Sequence, residues 1–238
     1  MLAEWLKRSL FKPSEETIHV RAAMHSLLRL IPAARNLLDV GCGDGKATEL
    51  YASTWNIPPN SIVGIEFQDK YKQAIDRFTV ESVDIERERF PFGNQSFDLV
   101  VCNQVLEHLK IVLAPLREMA RVTRENGFLA IGIPNLSSLM SRIYLVLGKD
   151  PICLSFPGPH IRGLTHRSFT RFLTSNPNFA LRATTGSVFY PVPLLLSSPL
   201  ARRCPGLACY TFYLLQKIRH RPDNDWPAEL YLDESVTG

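Results

Sequence analysis

No apolar run in this chain approaches the roughly 18 residues that a bilayer-spanning helix needs, so the sequence offers no helical membrane span. The five cysteines (Cys42, Cys102, Cys153, Cys204 and Cys209) are odd in number and form no C-x-x-C pair. That pattern argues against a disulfide framework, and spacing suggests no metal site. Internal repeats and low-complexity tracts are absent. A concentrated basic patch is missing too. The nearest runs are Arg202 with Arg203, and Lys217, Arg219 and Arg221, in a chain whose net charge is only +4. Nucleic acid is therefore not an expected partner. Near the start, Lys7 and Arg8 follow the apolar residues, the reverse of a secretory signal's order. Reduced thiols and a cytoplasmic setting are the expectation.

What is present is ordinary in amount and informative in order. The 238 residues are 45% hydrophobic and 21% charged, enough for one domain with a sizeable core. The segment LLDVGCGDGK at 37–46 runs an apolar strand into a turn with glycine at alternate positions. Gly41, Gly43 and Gly45 let the backbone turn tightly and approach a ligand closely, because no Cβ intervenes. A G-x-G-x-x-G dinucleotide fingerprint would place its last glycine at 46, where Lys46 stands. Residues 61–66 read as a second buried strand ending in Glu66, where α/β nucleotide binders hold ribose hydroxyls. A carboxylate suits that position because its two oxygens accept from both hydroxyls. A third strand at 80–85 carries Asp84, and strands and helices alternate from 36 to 135, which predicts a parallel sheet covered on both faces.

Further on come PF at 91–92, FDLV at 97–100, LEHL at 106–109, LREMARV at 116–122 and a glycine-led strand ending in PN at 134–135. With the D-x-G-x-G-x-G turn at 39–45, this series resembles class I S-adenosylmethionine-dependent methyltransferases of the small-molecule type. The resemblance implies a Rossmann-like, doubly wound α/β fold. Its seven-stranded sheet would be mostly parallel with the last strand antiparallel, and helices would lie on both faces. It implies S-adenosyl-L-methionine as cofactor. Carried onto this chain, the cofactor residues are Asp39, Gly41, Cys42, Gly43, Gly45, Glu66, Phe67, Asp84, Ile85, Asn103 and Gln104. Asp39 would be oriented by the turn amides or lie near the cofactor's amino group, and Glu66 would take the ribose. Phe67 would either face the adenine or pack as a core aromatic, Asp84 with the Ile85 amide would hold the adenine edge, and Asn103 and Gln104 would pass the methionine moiety.

Chemistry beyond the cofactor is less fixed. His108, beside Glu107, reads either as a general base or as part of a structural strand-four loop. His160, Arg162 and His166 fall in a segment resembling the H-(I/L)-R-x-(F/L)-T-x-x-S stretch of a subset of these enzymes. His160 is the second candidate base, and Arg162 and His166 are candidate substrate contacts. The rival reading makes His160 a loop-to-helix clamp whose imidazole bonds backbone carbonyls, and Arg162 a packed salt-bridge partner. The sequence departs from the family pattern at Lys110, where Asp-Pro is frequent, and at Gly127, which stands alone where two glycines are common.

The expected organisation is an N-terminal helical lid over 1–35, a methyltransferase domain over 36–220 and a loose tail over 221–238. Substrate-side helices and a loop would fill 136–181. Residues 1–12 are an alternative membrane-surface contact. A helix is expected over 69–78 and another over 110–124, with the last two strands at 182–190 and 207–218. The apolar segments 136–147 and 190–200 point to an apolar or lipid-like small-molecule acceptor with an oxygen, nitrogen or carbon nucleophile. Two other readings stay open: a non-catalytic S-adenosylmethionine binder, and a nicotinamide-dependent oxidoreductase, which Lys46 disfavours. Oligomeric state is not readable.

Overall fold

A computed structural model describes residues 13–72, 75–219 and 226. They build a seven-stranded sheet in the order β3-β2-β1-β4-β5-β7-β6. The strands are β1 (Leu37–Val40), β2 (Ile62–Ile65), β3 (Thr79–Glu81), β4 (Phe97–Asn103), β5 (Thr123–Pro134), β6 (Phe179–Ser187) and β7 (Tyr210–Lys217). The pairings from β3 through β5 are parallel, whereas β7 runs antiparallel to both β5 and β6. This is the expected doubly wound arrangement, with the final strand reversed and inserted one place in from the edge.

The central strands are continuous apolar runs because both faces are covered. Alternate side chains enter two separate cores. Leu38, Val40, Val100, Cys102, Leu129 and Ile131 meet Leu116, Met119 and Val122 of α4 (Leu113–Val122) on one face. Leu37, Leu99, Val101 and Ala130 meet Met24 and Leu28 of α1 (Pro13–Leu28) and Tyr51 of α2 (Lys46–Ala52) on the other. All five cysteines are free thiols.

Several motif residues prove to be joinery. Arg121 of α4 donates to the Phe92 carbonyl at 2.8 Å and the Phe90 carbonyl at 3.1 Å, and to both Glu118 oxygens. Glu118 in turn accepts the Phe90 amide at 2.8 Å, so the pair clamps the loop before β4. Asn135, just past β5, donates to the Gly206 and Ala208 carbonyls and accepts from the His166 amide.

Some boundaries differ from the sequence expectation. Of the helix expected over 69–78 the described residues form α3 (Asp69–Lys72), 73–74 lie outside them, and Phe78 is buried in the link before β3. Packing of that phenyl ring beside Gly45 and Gly64 overrides a weak helical pattern. Strand β3 stops at Glu81, so Asp84 lies three residues beyond it. In the helix expected over 110–124, α4 begins only at Leu113. The strands expected at 182–190 and 207–218 are β6 and β7, each with its start displaced by three residues. The apolar helix after β5 is α5 (Leu139–Val146), capped by Ser138, whose hydroxyl accepts the Ser141 amide. The next, α6 (His166–Thr174), starts at one of the two caps its sequence offers, Thr165 rather than Ser168, with the Thr165 hydroxyl accepting the Ser168 amide. The connector to β7 contains α7 (Leu194–Arg203). Trp226, in the stretch expected to be loose, is fully buried and stacked on Phe172 and Phe179 at centroid distances of 5.7 and 5.6 Å. The membrane-contact expectation for 1–12 lies outside the described residues. No helix among the described residues is long and apolar enough to cross a membrane.

Candidate functional site

A cleft of about 1030 Å³ opens at the C-terminal edge of β1, β2 and β4. In open α/β sheets this is the edge where ligands bind. Its floor is the glycine turn. Gly41, Gly43 and Gly45 all adopt positive φ (75°, 55° and 75°), which side chains of L-residues rarely tolerate. The three differ in what they face. A Cβ on Gly41 would collide with Val105, and one on Gly45 would press on Phe78 at 3.1 Å, whereas one on Gly43 would meet nothing within 4 Å. Gly41 and Gly43 line the cleft together with Cys42; Gly45 is turned toward the protein as the residue before α2.

Glu66 follows β2 and is buried at the cleft wall. One carboxylate oxygen accepts the Gly43 amide at 3.0 Å and the other the Gln68 amide at 2.8 Å. Each oxygen keeps a further lone pair for a ligand hydroxyl. Asp39, on β1, accepts from the Thr48 hydroxyl at 2.6 Å rather than from the turn amides. Burial pushes its carboxyl up to about 6, opposed by the Thr48 bond and assisted by the nearby Glu66 charge. Burial, with Asp39 and Glu66 close by, drives the Cys42 thiol upward, so Cys42 is no thiolate nucleophile.

Phe67 is 67% exposed and lines the cleft beside Asp84 and Ile85. Asp84 accepts the Glu86 amide at 3.1 Å. On the opposite wall, the Asn103 amide nitrogen donates to the Tyr51 hydroxyl at 2.9 Å, while its carbonyl oxygen and the Gln104 side-chain nitrogen are buried without a partner. Buried polar atoms left unpaired in a cleft wall mark places for ligand atoms. Gln104 also sits at φ 58° and donates its backbone amide to the Gly132 carbonyl.

Sequence reasoning missed several residues of this wall. Tyr51 lies on the same buried face of α2 as Thr48, and that helical spacing was the available signal. Glu16 and Arg21 come from α1, whose Thr17 and Val20 also line the cleft. Arg21 pairs with Asp44 of the glycine turn at 3.3 Å, and Glu16 accepts from the Tyr210 hydroxyl at 3.0 Å. These two contacts fasten α1 to the cleft wall, and no local pattern announces them.

The candidates beyond the cofactor wall separate. His108 lines the cleft; His160, Arg162 and His166 do not. The Arg162 guanidinium donates to the carbonyls of Lys110 and Leu109, at 2.7 and 3.5 Å. His166 hydrogen-bonds the Tyr213 hydroxyl of β7 at 2.9 Å. Both act as clamps. His160 packs edge-on against His108 with centroids 4.7 Å apart, and Glu107, 1% exposed, adjoins both rings. Burial pushes the Glu107 carboxyl up to about 8 and pulls the His160 imidazole down.

Comparison with known proteins agrees with this geometry. Residues 38–131 match a family described as a methyltransferase domain. A probable S-adenosylmethionine-dependent methyltransferase of Mycobacterium tuberculosis is 32% identical over 149 residues, covering 61% of this chain and 50% of its own. The ubiquinone biosynthesis O-methyltransferase of Nitrosomonas europaea is 26% identical over 170 residues, covering 66% of this chain and 68% of its own. The chain thus spans about half the length of the first curated relatives it matches. Among solved structures, phosphoethanolamine N-methyltransferase 1 of Haemonchus contortus, in complex with phosphoethanolamine and S-adenosylhomocysteine, superposes with a TM-score of 0.62 at 14% identity. That match covers 99% of this chain and 53% of the other.

Proposed function

We propose that the protein transfers the sulfonium methyl of S-adenosylmethionine to a small-molecule acceptor, a reading supported by the match of residues 38–131 to a methyltransferase domain family. The observation that carries the reading is the Glu66 carboxylate, held by the Gly43 and Gln68 amides at the wall of a cleft floored by left-handed glycines.

The cleft fits the cofactor by its own chemistry. Gly43 leaves open space where a Cβ would stand, and the Asn103 oxygen and Gln104 nitrogen lack partners. The volume of about 1030 Å³ is room enough for one ligand of that size and an acceptor beside it. Glu66 would hold the ribose hydroxyls, Phe67 and Ile85 would flank the adenine, and Asp84 would accept from its amino group. Asp39, Asn103 and Gln104 would hold the methionine end. When bound, the cofactor supplies a methyl group already activated by positive sulfur. The chain's own residues then have to hold the acceptor in line and keep water out. With α1 pinned by Arg21 and Glu16, the cleft has a wall suited to that.

An apolar or lipid-like acceptor is supported by exposed side chains on the substrate side. Leu145, Val146 and Leu147 at the end of α5 and Phe156 in the following loop are exposed, and that loop reaches the cleft at Pro159. The relative named for ubiquinone biosynthesis points the same way.

Calorimetric titration with S-adenosylhomocysteine tests the reading. Micromolar binding, about −8 kcal/mol at 1 μM, is expected, with Glu66→Ala weakening it by roughly tenfold or more. Release of S-adenosylhomocysteine on adding quinone-precursor phenols would then establish turnover. Binding without release across acceptor classes would leave a non-catalytic binder, and no binding to folded protein would remove the reading altogether.

A further inference from the structure

Beside the cleft, three side chains able to ligate a cation converge. His108 Nδ1 lies 3.1 Å from the Pro159 carbonyl, and His160 Nδ1 lies 2.7 Å from the Cys153 carbonyl. A carbonyl cannot donate, so each Nδ1 carries the proton, and in the neutral ring each Nε2 presents a lone pair. Both Nε2 atoms approach Glu107: that of His160 is 3.9 Å and that of His108 4.0 Å from the same carboxylate oxygen. Those separations are too long for hydrogen bonds. Glu107 is 1% exposed, and neither of its oxygens has any hydrogen-bond partner. A buried carboxylate without partners is costly. Among the described residues this is the group of carboxylate and imidazole atoms drawn close enough to share one ion.

We propose that Glu107, His108 and His160 bind a divalent transition cation of the zinc class. Two imidazole nitrogens and one carboxylate oxygen are a borderline donor set, suited to zinc and poorly suited to magnesium, which prefers oxygen throughout. Bonds of about 2.0–2.1 Å at tetrahedral angles place ligand atoms about 3.4 Å apart. The observed edges of 3.9 and 4.0 Å therefore need to contract by about half an ångström. The carbonyl partners on both Nδ1 atoms are the outer contacts that fix tautomer and ring orientation in metal-ligating histidines. Backbone bonds hold the three side chains together. The Glu107 carbonyl accepts the Ile161 and Arg162 amides at 3.0 and 3.2 Å, which brings the His160 loop onto the turn bearing His108.

Three protein ligands leave the fourth position open, as in catalytic rather than structural zinc sites. Since His108 belongs to the cleft wall, that position adjoins the acceptor's space. Its role there rests on the methyl-transfer reading; the binding itself does not. An acceptor hydroxyl on the cation would lose its proton to solvent more readily. Its oxygen would then form the new bond to the methyl carbon as the carbon–sulfur bond breaks toward sulfur, giving S-adenosylhomocysteine.

The test titrates the chelator-stripped 238-residue chain with Zn²⁺ by calorimetry and with Co²⁺ by visible absorption. The same samples are then titrated with S-adenosylhomocysteine. One tight equivalent is expected, with tetrahedral cobalt bands and no displacement by excess Mg²⁺. Loss of an outer contact to a ligand costs about 10–100-fold by itself, so Glu107→Gln and His160→Gln should each weaken the cation by more than roughly 100-fold. Binding of S-adenosylhomocysteine by both variants would show that they remain folded. Wild-type protein that takes up no cation, or variants that hold it as tightly, would overturn the site. Cation binding without S-adenosylhomocysteine binding would instead sink the methyl-transfer reading and leave the metal site standing.

Discussion

At the scale of single residues, the glycine turn divides its labour. Gly41 serves packing, since a side chain there would strike Val105, and Gly43 serves the ligand, since the space over it is open. Left-handed backbone costs a residue with a side chain about 1–2 kcal/mol. Gly41→Ala should therefore lower stability by at least that much in urea denaturation. Gly43→Ala should lose a similar amount and also weaken S-adenosylhomocysteine. Asp39 carries a pH signature. Its folded-state carboxyl titrates at about 6 against an unfolded value of 3.8, so the folded form holds the proton more tightly. The stability it contributes is present below about pH 4 and is lost as pH rises through 6, by up to about 3 kcal/mol. Asp39→Asn should remove that dependence, so urea melts near pH 4.5 and pH 7 should differ less in the variant than in the wild type.

At the scale of elements, several residues of the sequence motifs are fasteners. Arg121 and Glu118 tie α4 to the loop carrying Phe90 and Phe92. Arg121→Ala should cost about 1.5–3 kcal/mol, the value of charged hydrogen bonds, with little effect on cofactor affinity. Thr165 caps α6 through the Ser168 amide, and Thr165→Ala should cost about 1 kcal/mol, read as a lower thermal midpoint. A Thr-x-x-Ser start is a local signal of a capped helix that leaves Thr165 and Ser168 both open as the cap, and the fold selects Thr165. The fastening of Arg162 has no local signal, because its carbonyl partners lie 52 and 53 residues away in sequence.

At the scale of the whole molecule, residues distant in sequence close the structure. Trp226 stacks on the α6 residue Phe172 and the β6 residue Phe179 and takes no part in the cleft lining. Trp226→Ala should destabilise by about 3–5 kcal/mol, as large core truncations do, while the surviving folded fraction binds S-adenosylhomocysteine normally. Toward the N-terminal side, α1 is tied to the cleft wall through Arg21 and Glu16 and packs its Met24 and Leu28 into the second core.

The alternation of strands and helices, the position of the glycine turn and the acids at the ends of β1 and β2 can be read from the chain unaided, because each is a local matter of apolar runs, turn chemistry and spacing. Glu66 and the two cleft-facing glycines could be named before any coordinates. Contacts made across the sheet edge needed the folded molecule: Tyr51 on Asn103, α1 at the cleft wall, His166 turned away to Tyr213, and His160 brought down onto Glu107 and His108. Those depend on loops whose path is set by backbone hydrogen bonds between segments far apart in sequence, such as the Glu107 carbonyl with the Ile161 amide. Local pattern carries no record of such pairings, and the side chains they bring together acquire their chemistry only once the chain has closed.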